Sequence, residues 1–213
     1  MTVVTPQPPT VSVPTQPAAP PTPPRSRALR RFSVVEYRRL IQDGLLTEGE
    51  PIELLEGWIV HKMTRNPPHD VAPGLAGDAI AGRLPAGWHV REQAAITTAD
   101  SEPEPDLAVA RGVRRDYKIR HPGPTDLALV VEIAESSLAD DRDIKNRIYA
   151  RAGIAVYWIV NPVRGQVEVY TDPTGPDPNP VYRRRDDFGP NDAVSFAIPG
   201  HPATQIPVHE LLP

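Results

Sequence analysis

The run Leu127–Ala134, LALVVEIA, decides the fold because it is apolar at every position except one. Strands that are buried on both faces read as continuous apolar runs, so this run predicts a central β-strand. Glu132 is the exception, and an unpaired carboxylate inside a sheet costs on the order of several kcal/mol. We therefore expect a cation to meet it, and Lys145 lies in the next predicted helix.

A second acid occupies a similar setting upstream, where Asp106 follows Pro105 and opens the apolar run Leu107–Ala110. Two strand-borne acids and a lysine indicate a metal-dependent phosphodiesterase site, because Mg²⁺ takes oxygen ligands and activates water. Glu53 is a candidate third acid, as a ligand or a base. Gln93 is a further candidate, with a side chain that could point into the same site.

Each candidate also has an ordinary structural explanation. Asp106 fits the start of a strand, and Glu132 fits an ion pair with an arginine. Lys145 follows Asp141 by four residues, which is the favoured order for an ion pair on a helix. His69, beside a proline turn, fits either a ligand or general base, or the first residue of a helix.

Several classes of protein are excluded by what the chain lacks. It has no cysteine, so disulfides and thiolate metal sites are excluded, and its six histidines form no HxH or HxxxH pair for zinc. It has no G-x-S-x-G elbow, Walker loop or G-x-G-x-x-G motif, which argues against a serine hydrolase, a nucleoside triphosphatase and a Rossmann fold, respectively. Without a signal peptide or an apolar run of about 18 residues, we expect a cytoplasmic protein without a membrane partner.

The first part of the chain differs in composition from the rest. Residues 1–24 hold nine prolines and no charged side chain, and a basic hinge follows up to Arg31. Such a segment cannot repay its ordering entropy, so residues 1–31 are predicted to form a disordered, proline-rich arm. Residues 32–213 are predicted to form the folded domain.

Local patterns predict the elements of that domain. Ser33 and Glu36 have capping-box spacing at the start of a helix, and Gly57 lies in a two-residue turn between strands 52–55 and 58–63. The other expected elements are helices at about 69–84, 137–152 and 208–212, and strands at 88–98, 104–110, 127–134, 156–160, 166–171, 181–185 and 193–198. This order predicts an α/β fold with a mixed sheet and helices on its faces.

The net charge of −4 gives the whole molecule no attraction for polyanions, so local charge matters more. Basic residues cluster at 111–120 and at 183–185. Either cluster could contact phosphates, and the alternative for each is an ordinary solvated loop or exposed strand.

Three longer motifs carry a resemblance to a known family. They are IELLEGWIV (52–60) followed by PPHD (67–70), EPEPDLAVA (102–110), and the stretch from Asp126 to Pro162 that contains VVEIAESS and YARAGIAVYWIV. Together they closely resemble the Uma-type family of restriction-endonuclease-like proteins, a domain of unknown function placed in the PD-(D/E)XK nuclease superfamily. The resemblance implies a restriction endonuclease-like mixed central β-sheet flanked by helices.

The resemblance also implies roles for particular residues. Asp106 matches the acid of the PD motif, Glu132 matches the (D/E) position, and Glu53 matches the acid before the "EG" turn. The superfamily lysine, two places after the second acid, would fall at Ala134. Lys145 would then be a migrated lysine that reaches the same cleft from the following helix.

These assignments give a complete expected site. Asp106, Glu132 and the Ile133 carbonyl are expected to bind Mg²⁺ or Mn²⁺, with Lys145 positioning water and Glu53 in support. Gln93, His69 and Tyr149 are expected to contact these groups.

The expected function is that of a metal-dependent endonuclease that hydrolyses phosphodiester bonds in DNA, with a homodimer left open. One alternative is a catalytically inactive nuclease fold that acts as a nucleic-acid-binding or protein-interaction module. Another is a purely structural ion-pair network.

Overall fold

Helix α1 (Val34–Gln42) begins at the predicted capping box. The computed structural model describes residues 29–47, 49–62, 71–134 and 137–213. The Glu36 N–H donates to Ser33 Oγ, and the Ser33 N–H donates to the Glu36 carboxylate at 2.9 Å. The predicted arm, up to residue 28, lies outside the described residues.

A β-hairpin follows, with β1 (Ile52–Leu55) antiparallel to β2 (Trp58–His61). Glu56 and Gly57 form its turn, with φ of 49° and 82°. Positive φ at both central residues is typical of the two-residue turn that matches strand twist, so the predicted hairpin is confirmed.

Helix α2 (Val71–Ala81) precedes a six-stranded sheet. Its strands are β3 (Trp88–Glu92), β4 (Leu107–Arg111), β5 (Leu127–Ile133), β6 (Val156–Asn161), β7 (Gln166–Pro173) and β8 (Tyr182–Phe188). They lie side by side in chain order, and only β5 and β6 are parallel. All seven residues of β5 are buried, which confirms a mixed sheet built around this strand.

A helical crossover joins β5 to β6, as a parallel pair requires. It consists of α3 (Leu138–Asp140), a π-helical turn (Asp141–Lys145) and α4 (Asn146–Ala152). The helix was predicted, including its end at Gly153, which has φ of 72°. The π turn was not predicted.

The π turn has a structural cause in the neighbouring strand. The Asn146 N–H donates to the carbonyl of Asp141, five residues back, and the buried Tyr157 hydroxyl donates to the same carbonyl at 3.1 Å. Ser137 is the N-cap residue of this helix, as predicted, but its hydroxyl donates to Asp141 Oδ2 at 2.7 Å and makes no capping hydrogen bond to the main chain.

Several predicted boundaries are also wrong. Strand β3 stops at Glu92 because Gln93 adopts a left-handed conformation, with φ of 47°. Strand β4 starts only at Leu107, since Pro105 has no N–H to donate to a ladder. A second hairpin, β9 (Ala193–Phe196) and β10 (Thr204–Pro207), contains a strand that was not predicted, and the last predicted helix is a single 3₁₀ turn.

Hydrophobic cores cover both faces of the sheet. On one face, α2 and the β9–β10 hairpin pack over side chains that include Trp158. On the other, α4 packs through Ile148 and Tyr149 against Tyr157. Within the described residues, no helix is long and apolar enough to cross a membrane.

Candidate functional site

A cleft of about 870 Å³ opens where the first hairpin faces the start of β4, the end of β5 and the π turn. Six of the residues expected from sequence line it, namely Glu53, Gln93, Asp106, Glu132, Ile133 and Lys145. Tyr149 lies fully buried beside it, and His69 lies outside the described residues. The fold therefore brings the described members of the expected site together.

Two side chains of the crossover meet one carboxylate oxygen of Glu132. Oε1 accepts a hydrogen bond from the Tyr149 hydroxyl at 2.7 Å and lies 3.0 Å from the Lys145 ammonium. The hydroxyl and the ammonium group thus hold Oε1 in place from the crossover helix.

Burial dominates the electrostatics of Glu132 and raises its pKa to about 8. Lys145 and the Tyr149 hydroxyl oppose this rise, whereas Asp141 and Asp106 add to it. Burial alone would lower the pKa of Lys145, but the surrounding carboxylates outweigh it and raise that pKa. Lys145 is therefore an ammonium group, and its charge makes the rise in the pKa of Glu132 smaller than burial alone would.

Asp106 connects the start of β4 to the end of β5. Its side chain is nearly buried, and Oδ2 accepts the Ile133 N–H at 2.8 Å. The Gln93 N–H donates to the Asp106 carbonyl at 2.9 Å, so the left-handed residue after β3 supports the same position. The peptide unit of Ile133 thus lies directly beside the Asp106 carboxylate.

Asp141 is a site residue that the sequence reasoning missed, having treated it only as a helix partner of Lys145. It is 1% exposed, and among the described residues its Oδ1 has no hydrogen-bond partner. The Lys145 ammonium lies 3.8 Å from that oxygen. Burial raises the pKa of Asp141 to about 6, against the opposing effect of Lys145 and Ser137. Its i,i+4 spacing from Lys145 was the available signal.

Glu53 lies on the opposite wall of the cleft, carried by β1. Its side chain is nearly buried, and Oε2 accepts the Glu104 N–H at 3.0 Å. The Glu104 carboxylate in turn pairs with Lys62 on the chain just after β2. These contacts join the hairpin to the loop that leads into Asp106.

A second set of contacts holds the hairpin turn against α4. The Glu56 carboxylate accepts two hydrogen bonds from Arg147, at 2.9 and 2.8 Å, and one from Arg151 at 2.8 Å. Arg151 also donates to Asp100 at 2.9 Å. The hydrogen bond from Arg147 is the main reason why the pKa of Glu56 is lowered to about 2. The wall that bears Glu53 is thereby fixed to the helix that follows Lys145.

The donor atoms of the cleft suit a hard divalent cation. They are carboxylate and main-chain oxygens, and the buried Oδ1 of Asp141 has no hydrogen-bond partner within the described residues. No group of three or more His, Asp or Glu side chains among those residues is placed to hold a metal. The protein would thus supply two carboxylates and a carbonyl, and water or phosphate would complete the shell, as is common for Mg²⁺.

The sequence of the chain matches one known protein family. The family model Uma2, described as "Putative restriction endonuclease", matches residues 34–200. The chain belongs to the Uma2 family. The resemblance noted from the motifs is therefore confirmed, and the match includes every element that lines the cleft.

A solved structure shares the Uma2 fold. It is a crystal structure described as a putative nuclease belonging to DUF820, from Anabaena variabilis ATCC 29413. It aligns with a TM-score of 0.58 and 18% identity over 81% of this chain and 96% of that chain. This likeness establishes the fold alone. Among curated proteins, no significant relative is found.

Proposed function

We propose that the chain is a divalent-metal-dependent endonuclease that hydrolyses phosphodiester bonds in DNA within this cleft. The observation that carries the proposal is the meeting of Asp106, Glu132 and Lys145. Asp106 immediately precedes β4, Glu132 lies on the adjacent β5, and Lys145 comes from the π turn of the crossover. Membership in a family described as a restriction endonuclease supports a nuclease activity.

Asp106, Glu132 and the carbonyl of Ile133 would hold the metal, Mg²⁺ or Mn²⁺. When bound, such an ion neutralises charge on the phosphate and lowers the pKa of a water molecule. Lys145 has a raised pKa, so it donates hydrogen bonds to a water or a phosphate oxygen and does not act as the base. Asp141 offers its unbonded oxygen as an acceptor on the same side of the cleft.

Other residues would keep these groups in place. The Tyr149 hydroxyl and Lys145 both engage Oε1 of Glu132, which orients Oε2 for the ligand. Glu53 contributes negative charge that keeps Lys145 protonated. Gln93 donates its N–H to the main chain at Asp106.

The first test measures the metal alone, so it needs no knowledge of the DNA target. Calorimetric titration with Mn²⁺ is expected to give saturable binding for the wild type and none for Asp106→Asn. Asp192→Asn is the matched control, because Asp192 also accepts a main-chain N–H, that of Gly189, but lies outside the cleft. Equal Mn²⁺ binding by the wild type and Asp106→Asn would contradict the assignment of the ligand.

The second test measures cleavage. Supercoiled plasmid is expected to be nicked in Mg²⁺ or Mn²⁺ by the wild type and by Asp192→Asn, but not by Asp106→Asn or Lys145→Met. A wild-type protein that binds Mn²⁺ and DNA but never cuts would favour the inactive, binding-module alternative. Cutting both strands of a duplex needs two clefts, which a homodimer would supply, and light scattering with and without DNA measures this.

A further inference from the structure

The cleft alone is a poor attractant for a polyanion. Within the described residues, eight acidic side chains line it and only two lysines, Lys62 and Lys145. A phosphate backbone approaching this wall meets like charge, and bound metal would offset only part of it. Affinity for nucleic acid must therefore come from a surface outside the cleft.

Cations without an acidic partner concentrate at one place on the molecule. Most described arginines and lysines form an ion pair with a carboxylate, as Arg38, Arg147 and Arg183 do. Those without one, apart from Arg31 and Arg164, are Arg91, Arg111, Arg114, Arg115 and Lys118. We call Arg91 together with residues 111–120 the basic surface.

The basic surface is held in shape while keeping most of its charge, since among its cations only Arg120 forms an ion pair, with Asp126 at 2.6 Å. The Tyr117 hydroxyl donates to the Arg111 carbonyl at 2.8 Å. The guanidinium groups of Arg91 and Arg120 lie 5.3 and 5.1 Å from the centre of its ring. Asp116, an acid within the loop, accepts the Val113 N–H at 2.9 Å. Stacking and turn contacts thus order the loop, while most of its cations remain exposed.

The basic surface continues into the cleft along two paths. His121, which follows Arg120, lines the cleft and lies 3.7 Å from Glu102. Arg91, on β3, lies two residues before Gln93, which lines the cleft just after the strand ends. The basic surface and the lining of the cleft are therefore joined at His121 and at the end of β3.

We propose that the basic surface binds the phosphate backbone of duplex DNA and delivers it to the acidic cleft. The choice of DNA rests on the proposed function, whereas the location follows from the uncompensated cations. A duplex is favoured over a single strand because single strands need open aromatic faces for stacking. Here guanidinium groups already cover Tyr117 and Trp88.

The test compares two triple variants that remove equal charge from exposed positions. Arg114→Gln/Arg115→Gln/Lys118→Gln removes three of the six cations of the basic surface. The matched control is Arg164→Gln/Arg183→Gln/Arg184→Gln. Arg164 lies in the turn between β6 and β7, and the other two arginines lie on β8. Binding of a short fluorescein-labelled DNA duplex is measured by anisotropy in EDTA at several salt concentrations, with urea unfolding midpoints to verify folding.

We expect the surface variant to bind the duplex more than tenfold more weakly than the wild type. Its plot of log affinity against log salt should be shallower by about 2 to 3, because each lost phosphate contact removes about 0.9 from the slope. The control should match the wild type. Equal losses in both variants, no loss in either, or no binding by the wild type would overturn the proposal. Tighter, surface-dependent binding of an RNA duplex would overturn the choice of DNA.

The metal-free assay separates this proposal from the proposed nuclease activity. Surface-dependent DNA binding by a protein that never cuts would refute the activity and leave the basic surface standing. Cleavage that is undiminished in the surface variant would refute the basic surface and leave the activity standing.

Discussion

Glu56→Gln is expected to weaken the fold by detaching the first hairpin from α4. The wild-type carboxylate receives hydrogen bonds from Arg147 and Arg151, and its side chain is only 14% exposed. Its pKa falls from 4.5 to about 2. A shift of about 2.5 units, at about 1.36 kcal/mol each, corresponds to about 3 kcal/mol in favour of the ionised folded state. Partial exposure of the two guanidiniums reduces this to about 2–3 kcal/mol at pH 7.

The dependence on pH follows from the direction of this shift. A carboxyl group with a lowered folded pKa stabilises the fold above its unfolded pKa, and that contribution disappears as the pH falls from about 4.5 through 2. The gap in unfolding free energy between the wild type and Glu56→Gln is therefore expected to shrink to about 1 kcal/mol at pH 3.

Urea unfolding of both proteins at pH 7, 5 and 3 measures that gap. Asp143→Asn is the matched control, because Asp143 pairs only with Arg147 and is 76% exposed, so its loss should cost less than about 0.5 kcal/mol. A gap that stays constant between pH 7 and pH 3 would refute the reasoning, since the loss would then not depend on the ionised carboxylate.

Three further outcomes are expected, each measured by urea unfolding. Lys145→Met should lower the free energy of unfolding by about 3–5 kcal/mol at pH 9 and by much less at pH 5, where Glu132 is protonated. Equal losses at the two pH values would show that the buried charge of Glu132 is not the cause. Tyr149→Phe should cost about 1–2 kcal/mol by removing a donor to Glu132, and a neutral result would contradict that bond. Gly57→Ala should lower the free energy of unfolding more than Gly44→Ala does. Both glycines have positive φ, but only at Gly57 would the new Cβ meet another carbon atom, at 2.6 Å. Similar losses of stability in the two variants would argue against this close approach.

The elements that were predicted correctly are specified by residues that lie close together in the sequence. The apolar run of β5 specifies a strand buried on both faces, and Ser33 and Glu36 are close enough along the chain to cap each other. The turn at Gly57 likewise needs only two residues. The family motifs then placed Asp106 and Glu132 on neighbouring strands.

The features that were missed depend on partners distant in sequence. The π turn is stabilised by the hydroxyl of Tyr157, which arrives from the next strand. Asp141 looked fully explained by its helix neighbour, and only tertiary packing shows that one of its oxygens is buried without a donor. Strand β10 is short, ends in proline and gains its partner only when β9 folds back.

The π turn also determines which changes in chain length the cleft can tolerate. Its i→i+5 hydrogen bond closes a turn that holds about one residue more than a turn of regular α-helix. Deleting the exposed Asp143 should therefore let the segment close into regular α-helix and keep Asp141 and Tyr149 on the side that faces Glu132. Inserting one residue at the same place should instead rotate α4 by about 100° relative to Asp141 and disperse the charged groups around Glu132, while the six-stranded sheet stays folded.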